Sequence, residues 1–291
     1  MYPNRFAYDA PTSLGDAIAL LNAGGGEAKI LAGGQSLIPM LKLRFASPER
    51  LIDINGIPGL DYHRIDADGT LRIGALCRHE DLEMSETIKA GFPTLASAAH
   101  LVADPIVRTR GTFVGSVCHA DPQGDWAATM IALDGRIVAQ GPNGRREIPM
   151  RDFVLGPFTN ALAFNEIAVE AVIPPAKGTA RGGYLKLERR VGDFATASVA
   201  IALDMNGDTV SRAGCALAGV GGRTIDANAA ISVLQGKTLN AESIEAAADA
   251  VAAAAEPRTD HRGSAAYKRH IVKTFVTRIL TGIARSEQKA A

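Results

Sequence analysis

The stretch Lys29-Ile30-Leu31-Ala32-Gly33-Gly34-Gln35-Ser36-Leu37 decides how the N-terminal part of this 291-residue chain folds. Its first four residues read as a short buried strand. Beyond the two glycines, Leu37, Met40, Leu41 and Leu43 predict a short helix, interrupted near Pro39 in its first turn. A strand that leaves through Gly-Gly-Gln-Ser can aim several backbone N–H groups at one point, which is what an anionic phosphate requires. By itself the pattern is neither a Walker loop nor Gly-x-Gly-x-x-Gly, and a Gly-Gly pair after a strand is more often a plain turn.

Upstream, Leu14, Ile18 and Leu21 recur at helical spacing behind a Thr12-Ser13 cap, and Gly24-Gly25-Gly26 stops that helix. Downstream, Leu51–Ile54 and Leu71–Gly74 read as strands, Leu82 onward and Leu95–Val102 as helices, and Ile137–Ala139 and Ile167–Ile173 as strands again. A second glycine-rich segment runs from Arg110 through Gly111-Thr112-Phe113-Val114-Gly115-Ser116 to Cys118-His119-Ala120-Asp121 and on to Asp125-Trp126. Small residues again leave the backbone accessible. Asp121 and Asp125 can both accept hydrogen bonds from a polyol, although Asp125 fits a helix cap before Trp126 equally well. His119 beside Cys118 makes only two potential ligands, so a packed histidine is the simpler reading.

Pro174-Pro175-Ala176-Lys177-Gly178-Thr179 marks a linker, giving expected domains at 1–175 and 176–291. Beyond it, the strand-like runs Gly183–Arg189 and Ala197–Met205 precede a hairpin turn at Asn206-Gly207 and a return strand over Val210–Val220. Helices follow over Asp226–Gln235 and Ala241–Glu256, and Tyr267, Ile271, Phe275, Ile279 and Ile283 form the apolar stripe of the last. Strands followed by helices make the fold class α+β.

Lys+Arg and Asp+Glu each number 31, and the zero net charge supplies no field to hold nucleic acid or an anionic membrane. No apolar run reaches the ~20 residues of a transmembrane helix, and the N-terminus shows no secretory signal, so the expected compartment is the cytoplasm. Cys77, Cys118 and Cys215 are far apart, which argues against a disulfide framework and against an iron–sulfur cluster within this chain.

Taken together, Ala32-Gly33-Gly34-Gln35-Ser36-Leu37, then Pro39–Arg44 and Leu51-Ile52-Asp53-Ile54-Asn55, resemble the first FAD loop of the medium-subunit family of aerobic carbon monoxide dehydrogenase and its relatives, including the flavin portion of xanthine dehydrogenase. Gly111–Ser116 resembles that family's second FAD loop, Thr-Ile-Gly-Gly-Asn. The likeness continues through Lys186–Ala195 and ends at Arg262–Arg269, so it covers nearly the whole chain in four ordered motifs. This sequence departs from the pattern at Val114, where glycine is usual, and at Ser116, where Asn is usual. A β-branched residue resists positive φ and adds bulk, so a shifted second loop is expected.

The resemblance implies a two-lobed FAD-binding domain of the vanillyl-alcohol-oxidase-like (PCMH) type, followed by an α+β domain with a three-stranded antiparallel sheet and helices. It implies non-covalent FAD, with the pyrophosphate on the backbone of Lys29, Ile30, Leu31, Ala32, Gly33, Gly34, Gln35, Ser36 and Leu37 and of Gly111, Thr112, Val114, Gly115 and Ser116. It further implies Asp125 at the polyol, Val102 and Val169 as apolar contacts, and Lys186 as a cation beside the flavin, which would raise its potential. Without the resemblance, Lys186 followed by Arg189-Arg190 reads as a solvated strand face or a subunit contact. No acid–base catalytic residue and no metal ligand is implied in this chain. Molybdopterin and [2Fe–2S] clusters are expected only on a large and a small partner subunit, in an αβγ assembly or its dimer, with NAD, quinone, O2 or a carrier protein as electron acceptor. Two other readings remain: a standalone flavin oxidoreductase, disfavoured by the motif order, and an assembly protein that lost FAD, to which only Val114 lends support.

Overall fold

The computed structural model describes residues 2–290; Met1 and Ala291, the outermost residues of the two expected domains, lie outside the described residues. The first unit is a parallel three-stranded sheet. β1 (Ala7–Asp9) leads into α1 (Leu14–Ala23), β2 (Ala28–Leu31), α2 (Leu37–Lys42) and β3 (Arg50–Asp53), with β3 between β1 and β2. The Ser13 hydroxyl caps α1 by accepting from the Asp16 amide at 3.1 Å, and Gly25 and Gly26, both at positive φ, carry the chain away from its end. Ala17, Ile18 and Leu21 press α1 onto the sheet. Pro39 sits inside α2 without interrupting it, because a first-turn residue has no intrahelical acceptor for an N–H in any case.

β4 (His63–Ile65) and β5 (Leu71–Gly74) open a five-stranded antiparallel sheet. Six short helices interrupt it: α3 (His79–Met84), α4 (Glu86–Gly91), α5 (Pro93–Ala99), α6 (Pro105–Arg108), α7 (Phe113–His119) and α8 (Asp125–Ala132). The sheet resumes with β6 (Arg136–Gly141) and β7 (Gly144–Pro149). The short α9 (Met150–Phe153) and the two-residue-scale ribbon of β8 (Val154–Gly156) and β9 (Thr159–Asn160) follow, and β10 (Ile167–Ile173) enters the centre of the sheet between β5 and β6. β10 is buried along its whole length, as an apolar central strand must be. Trp126, Phe113, Leu82 and Leu95 fill the space between this sheet and the helices.

After the 174–178 connection, β11 (Thr179–Leu187), β12 (Ala197–Asn206) and β13 (Thr209–Ala218) form the expected antiparallel sheet around the Asn206-Gly207 turn, with Gly207 at positive φ. A two-residue strand, β14 (Ile225–Asp226), adds to its edge. The region predicted as one helix over 226–235 divides into α10 (Asn228–Ile231) and a 3-10 turn (Ser232–Leu234), followed by α11 (Ala241–Ala254) and α12 (Ala265–Ala290).

The sheet is buried on both faces by different chemistry. Ala200, Ala202, Ala216 and Ala218 face the core shared with α5 and α8, where small side chains let helices approach. Val199, Ile201, Leu203 and Leu217 face α11 and α12. The stripe predicted for α12 needs correction at its N-terminal end. Tyr267 is exposed, whereas Val272, Val276 and Leu280 are fully buried beside Phe275, Ile279 and Ile283. A spacing of four drifts by about 40° per step around a 3.6-residue helix, so a straight face alternates three- and four-residue steps.

Candidate functional site

Gly33 is the point at which the two glycine loops meet. A Cβ built on Gly33 would stand 2.3 Å from the Arg110 carbonyl oxygen, 2.7 Å from Gly111 Cα and 2.9 Å from the Thr112 amide nitrogen. All three are backbone atoms, so only glycine allows this approach. A polar clamp holds the loops from behind. Asn55 donates from Nδ2 to the Ala32 carbonyl at 2.8 Å. The Arg78 guanidinium donates to Asn55 Oδ1 at 2.8 Å and to the Arg110 carbonyl at 2.6 Å.

The loops open onto a cavity of about 620 Å3 between the parallel sheet, the helices and the 158–168 segment. Cavities of ~300–1,000 Å3 are the usual size for small-molecule and cofactor sites. Among the described residues, the amides of Gly33, Gly34, Gln35 and Ser36 have no acceptor within the protein, and neither do those of Thr112 and Val114. Unpartnered amides on two adjacent loops that border the same cavity are the raw material of a nest for anionic oxygens. Thr112 Oγ1 accepts from the Gly115 amide at 3.2 Å and so fixes the turn that presents the second loop.

Val114 takes an ordinary backbone conformation. It has no positive φ, lies in the first turn of α7, and buries its side chain in the core while its backbone borders the cavity. Lys29, Ile30, Ala32, Gly33, Gly34, Gln35, Ser36, Leu37, Val102, Gly111, Thr112, Gly115, Ser116 and Asp125 also line the cavity. Three of the expected contacts stand elsewhere. Leu31 borders a second cavity, of about 400 Å3, on the outer side of the first loop. Val169 belongs to the core under α1, while its neighbours Ile167 and Ala168 line the main cavity.

Lys186 is the third. Its side chain is fully buried, and its ammonium donates to the Leu101 carbonyl at 2.5 Å and to Asp125 Oδ2 at 3.3 Å, with Glu188 Oε2 at 3.2 Å. It therefore stands behind the wall rather than on it. Asp125 is the member of this group that reaches the cavity. It is the first residue of α8 but makes no capping bond. Its Oδ1 instead accepts from the Tyr184 hydroxyl at 2.5 Å. Burial pushes the Asp125 carboxyl above its ordinary range, against the pull of Lys186 and the Tyr184 hydroxyl. Asp121 accepts from the Gln123 amide at 2.8 Å in a local turn and is not part of the wall.

His119 is packed, as expected: its ring lies 5.1 Å from that of Phe158 at the cavity edge, and burial lowers its pKa. Burial raises the neighbouring Cys118 thiol to about 12, so it carries no thiolate at neutral pH. Among the described residues no cluster of His, Cys, Asp and Glu could hold a metal ion, and no helix is long and apolar enough to cross a membrane.

Sequence reasoning passed over Asn55 and Arg78 as functional groups, and over His79, Tyr184 and the aromatic rim of Phe158, Phe164 and Phe194. Asn55 and Phe194 lie within motifs that carry the resemblance but have no role assigned by it, and nothing local distinguishes the others. His79 is buried, lines the cavity, and accepts from the Trp126 indole N–H at 3.0 Å. Burial, with Arg108 and Arg78 nearby, pushes its pKa down from 6.5 to about 4. As pH falls through 6.5 the unfolded chain takes up this proton first. Stability is therefore lost between about 6.5 and 4 and is flat above that window. The loss is on the order of 3 kcal/mol. Urea unfolding across that window, compared between wild type and His79→Gln, checks this; the variant is expected to show the shallower acid slope.

Free amides on two loops, a glycine contact that no other residue permits and a partly apolar cavity of cofactor size together define a site for a dinucleotide cofactor. Residues 4–176 match the family described as the FAD binding domain in molybdopterin dehydrogenase, and residues 183–283 match the CO dehydrogenase flavoprotein C-terminal domain. The carbon monoxide dehydrogenase medium chain of Hydrogenophaga pseudoflava is 46% identical over 281 residues, covering 96% of this chain and 97% of that one. The glyceraldehyde dehydrogenase medium chain of Sulfolobus acidocaldarius is 35% identical, covering 98% and 100%. Among solved structures, carbon monoxide dehydrogenase from Hydrogenophaga pseudoflava superposes with a TM-score of 0.93 at 45% identity, covering 99% of both chains. Quinoline 2-oxidoreductase from Pseudomonas putida 86 superposes with a TM-score of 0.90 at 30% identity, again covering 99% of both. The chain belongs to the family of FAD-binding subunits of molybdenum-containing dehydrogenases.

Proposed function

We propose that this chain is the flavin relay of a molybdenum hydroxylase. It receives electrons from [2Fe–2S] clusters on a small subunit, after oxidation of an organic substrate on a large molybdopterin subunit, and delivers them to an external acceptor such as NAD, quinone, O2 or a carrier protein. The observation that carries the reading is the pair of glycine loops locked together at Gly33, both of which border one cavity. FAD, when bound, supplies reversible one- and two-electron chemistry.

The chain's own residues bind and orient. The amides of Gly33–Ser36, Thr112 and Val114 hold the pyrophosphate, Asp125 faces the polyol, and Val102 and Ala168 supply apolar contact. Tyr184 and Lys186 fix the Asp125 carboxylate from behind, and Val169 supports the same wall from the core. Lys186 thus acts on the cofactor through Asp125. The domain division is at 1–175 and 176–291, the assembly is αβγ or its dimer, and the compartment is the cytoplasm.

Substrate choice falls to the large subunit. The relatives' names attach them to carbon monoxide, glyceraldehyde and nicotine, although each covers more than nine-tenths of this chain. Affinity purification of the tagged full chain from its native host is expected to return one FAD per chain, with molybdenum and iron in two additional polypeptides. A flavin-free chain, or one that oxidises an organic substrate with no partner present, would overturn the proposal.

A further inference from the structure

His79 carries a hydrogen-bond donor that the protein itself leaves unused. The segment 77–79 runs alongside the second glycine loop: the His79 amide donates to the Gly111 carbonyl at 3.0 Å, the Phe113 amide donates to the Cys77 carbonyl at 3.0 Å, and Arg78 pairs with Thr112 in an antiparallel bridge. This pairing lays the imidazole against Gly111 so closely that a Cβ there would come within 2.8 Å of both Cδ2 and Nε2.

The tautomer follows from the neighbour. An indole N–H can only donate, and the Trp126 N–H ends 3.0 Å from Nδ1, so Nδ1 carries the lone pair. In a neutral ring the proton then lies on Nε2. Burial and the charges of Arg108 and Arg78 keep the ring neutral, and Trp126, packed in turn on Phe113 at 4.7 Å between centroids, holds it in place. Among the described residues Nε2 has no protein acceptor, yet the side chain is more than nine-tenths buried and borders the cavity. Nε2 is not among the enclosed unpaired polar atoms, so it meets the open space of the cavity, where a ligand can supply the acceptor.

We propose that the Nε2–H of His79 donates to a pyrophosphate oxygen of the dinucleotide held by the Gly111–Ser116 loop, as a neutral donor locked in one tautomer by Trp126. This rests on the cofactor assignment above and adds a side-chain contact to the backbone nest. A neutral donor reads the anion's lone pairs without changing the net charge of the site. Binding therefore does not switch over the range of about pH 5 to 8 in which an ordinary histidine titrates.

The test uses the full chain stripped of flavin. FAD binding is followed by quenching of Trp126, the protein's only tryptophan. His79→Leu, which keeps volume but removes the donor, is expected to weaken FAD at least tenfold. His79→Gln, whose amide nitrogen occupies the Nε2 position, is expected to recover most of that loss. Imidazole 15N spectra of the wild type are expected to show the Nε2–H tautomer, with its proton signal moved by FAD and by ADP but not by adenosine. An Nδ1–H tautomer, a signal indifferent to saturating FAD, or equal affinity of wild type and His79→Leu would overturn the proposal. If the wild-type chain binds no FAD at all, the cofactor assignment itself fails. Should His79→Leu not fold, the wild-type spectra and the Gln variant decide alone.

Discussion

Gly33→Ala is expected to yield a folded chain that has lost its flavin. The added methyl would lie 2.3 Å from the Arg110 carbonyl oxygen and under 3 Å from two further backbone atoms of the second loop. No side-chain rotation relieves such a contact, so one loop must move. The Asn55 and Arg78 clamp resists that movement, because its bonds to the Ala32 and Arg110 carbonyls hold the loops at their present separation. Overpacking of this kind costs about 1–3 kcal/mol in stability, which a chain of this size survives. The amide nest, however, works only while both loops face one point. FAD affinity should fall by two orders of magnitude or more, roughly 3 kcal/mol, with the circular dichroism spectrum unchanged. Gly222→Ala, where a Cβ would meet nothing within 4 Å and φ is not positive, is the matched control and should bind normally. Flavin retained by Gly33→Ala at wild-type affinity would show that the loops need not touch.

The second large effect is expected at Lys186. Its ammonium stands among the Leu101 carbonyl, Asp125 and Glu188, in a place where the lysine side chain is fully buried. Lys186→Met keeps most of the packing and removes the cation that faces the two carboxylates. Breaking a buried ion pair by deleting one partner typically costs about 3–5 kcal/mol, equivalent here to roughly 10 °C in melting temperature.

The pH dependence identifies the cause. Burial already holds the Asp125 carboxyl above its ordinary range, and Lys186 is the main opposing influence. Without it the folded-state value rises further, while the unfolded value stays near 3.9. The folded variant then binds a proton that the unfolded chain does not, so its deficit shrinks as pH falls from neutrality towards that unfolded value. A deficit equal at pH values near 5 and near 8 would mean that lost packing, not lost charge, is responsible. Lys186→Met combined with Asp125→Asn should recover part of the stability while leaving the cavity without the Asp125 carboxylate, so stability and flavin affinity separate in that double variant.

Legibility in the sequence followed the range of the interactions. The Ser13 cap, the Gly24–Gly26 stop and the Asn206-Gly207 hairpin were readable because each depends on residues within a few positions of one another. The strand leading into Gly33-Gly34 was readable for the same reason. The burial pattern of α12 was read less well. A strict spacing of four picks out Tyr267 and passes over Val272, Val276 and Leu280, because the face that packs is set by the sheet beneath it. Val114 shows the converse limit. Its residue type alone does not show that the first turn of α7 gives it an ordinary helical backbone and a core position for its side chain.

By itself, then, the sequence determined the order of elements, the two glycine loops with their backbones bare, the small and hydroxyl residues around them, and the family likeness that joins them to FAD. The tertiary structure alone decided which groups face the cofactor cavity. It put Gly33 against Arg110 and Gly111, turned Lys186 away from the cavity into a contact with Asp125, and placed the His79 imidazole, tautomer set by Trp126, beside the second loop. The reason is physical: φ preferences, capping and turn chemistry act within a few residues. A buried ion pair or an oriented N–H between residues dozens of positions apart exists only once the packing of sheets and helices has brought them together.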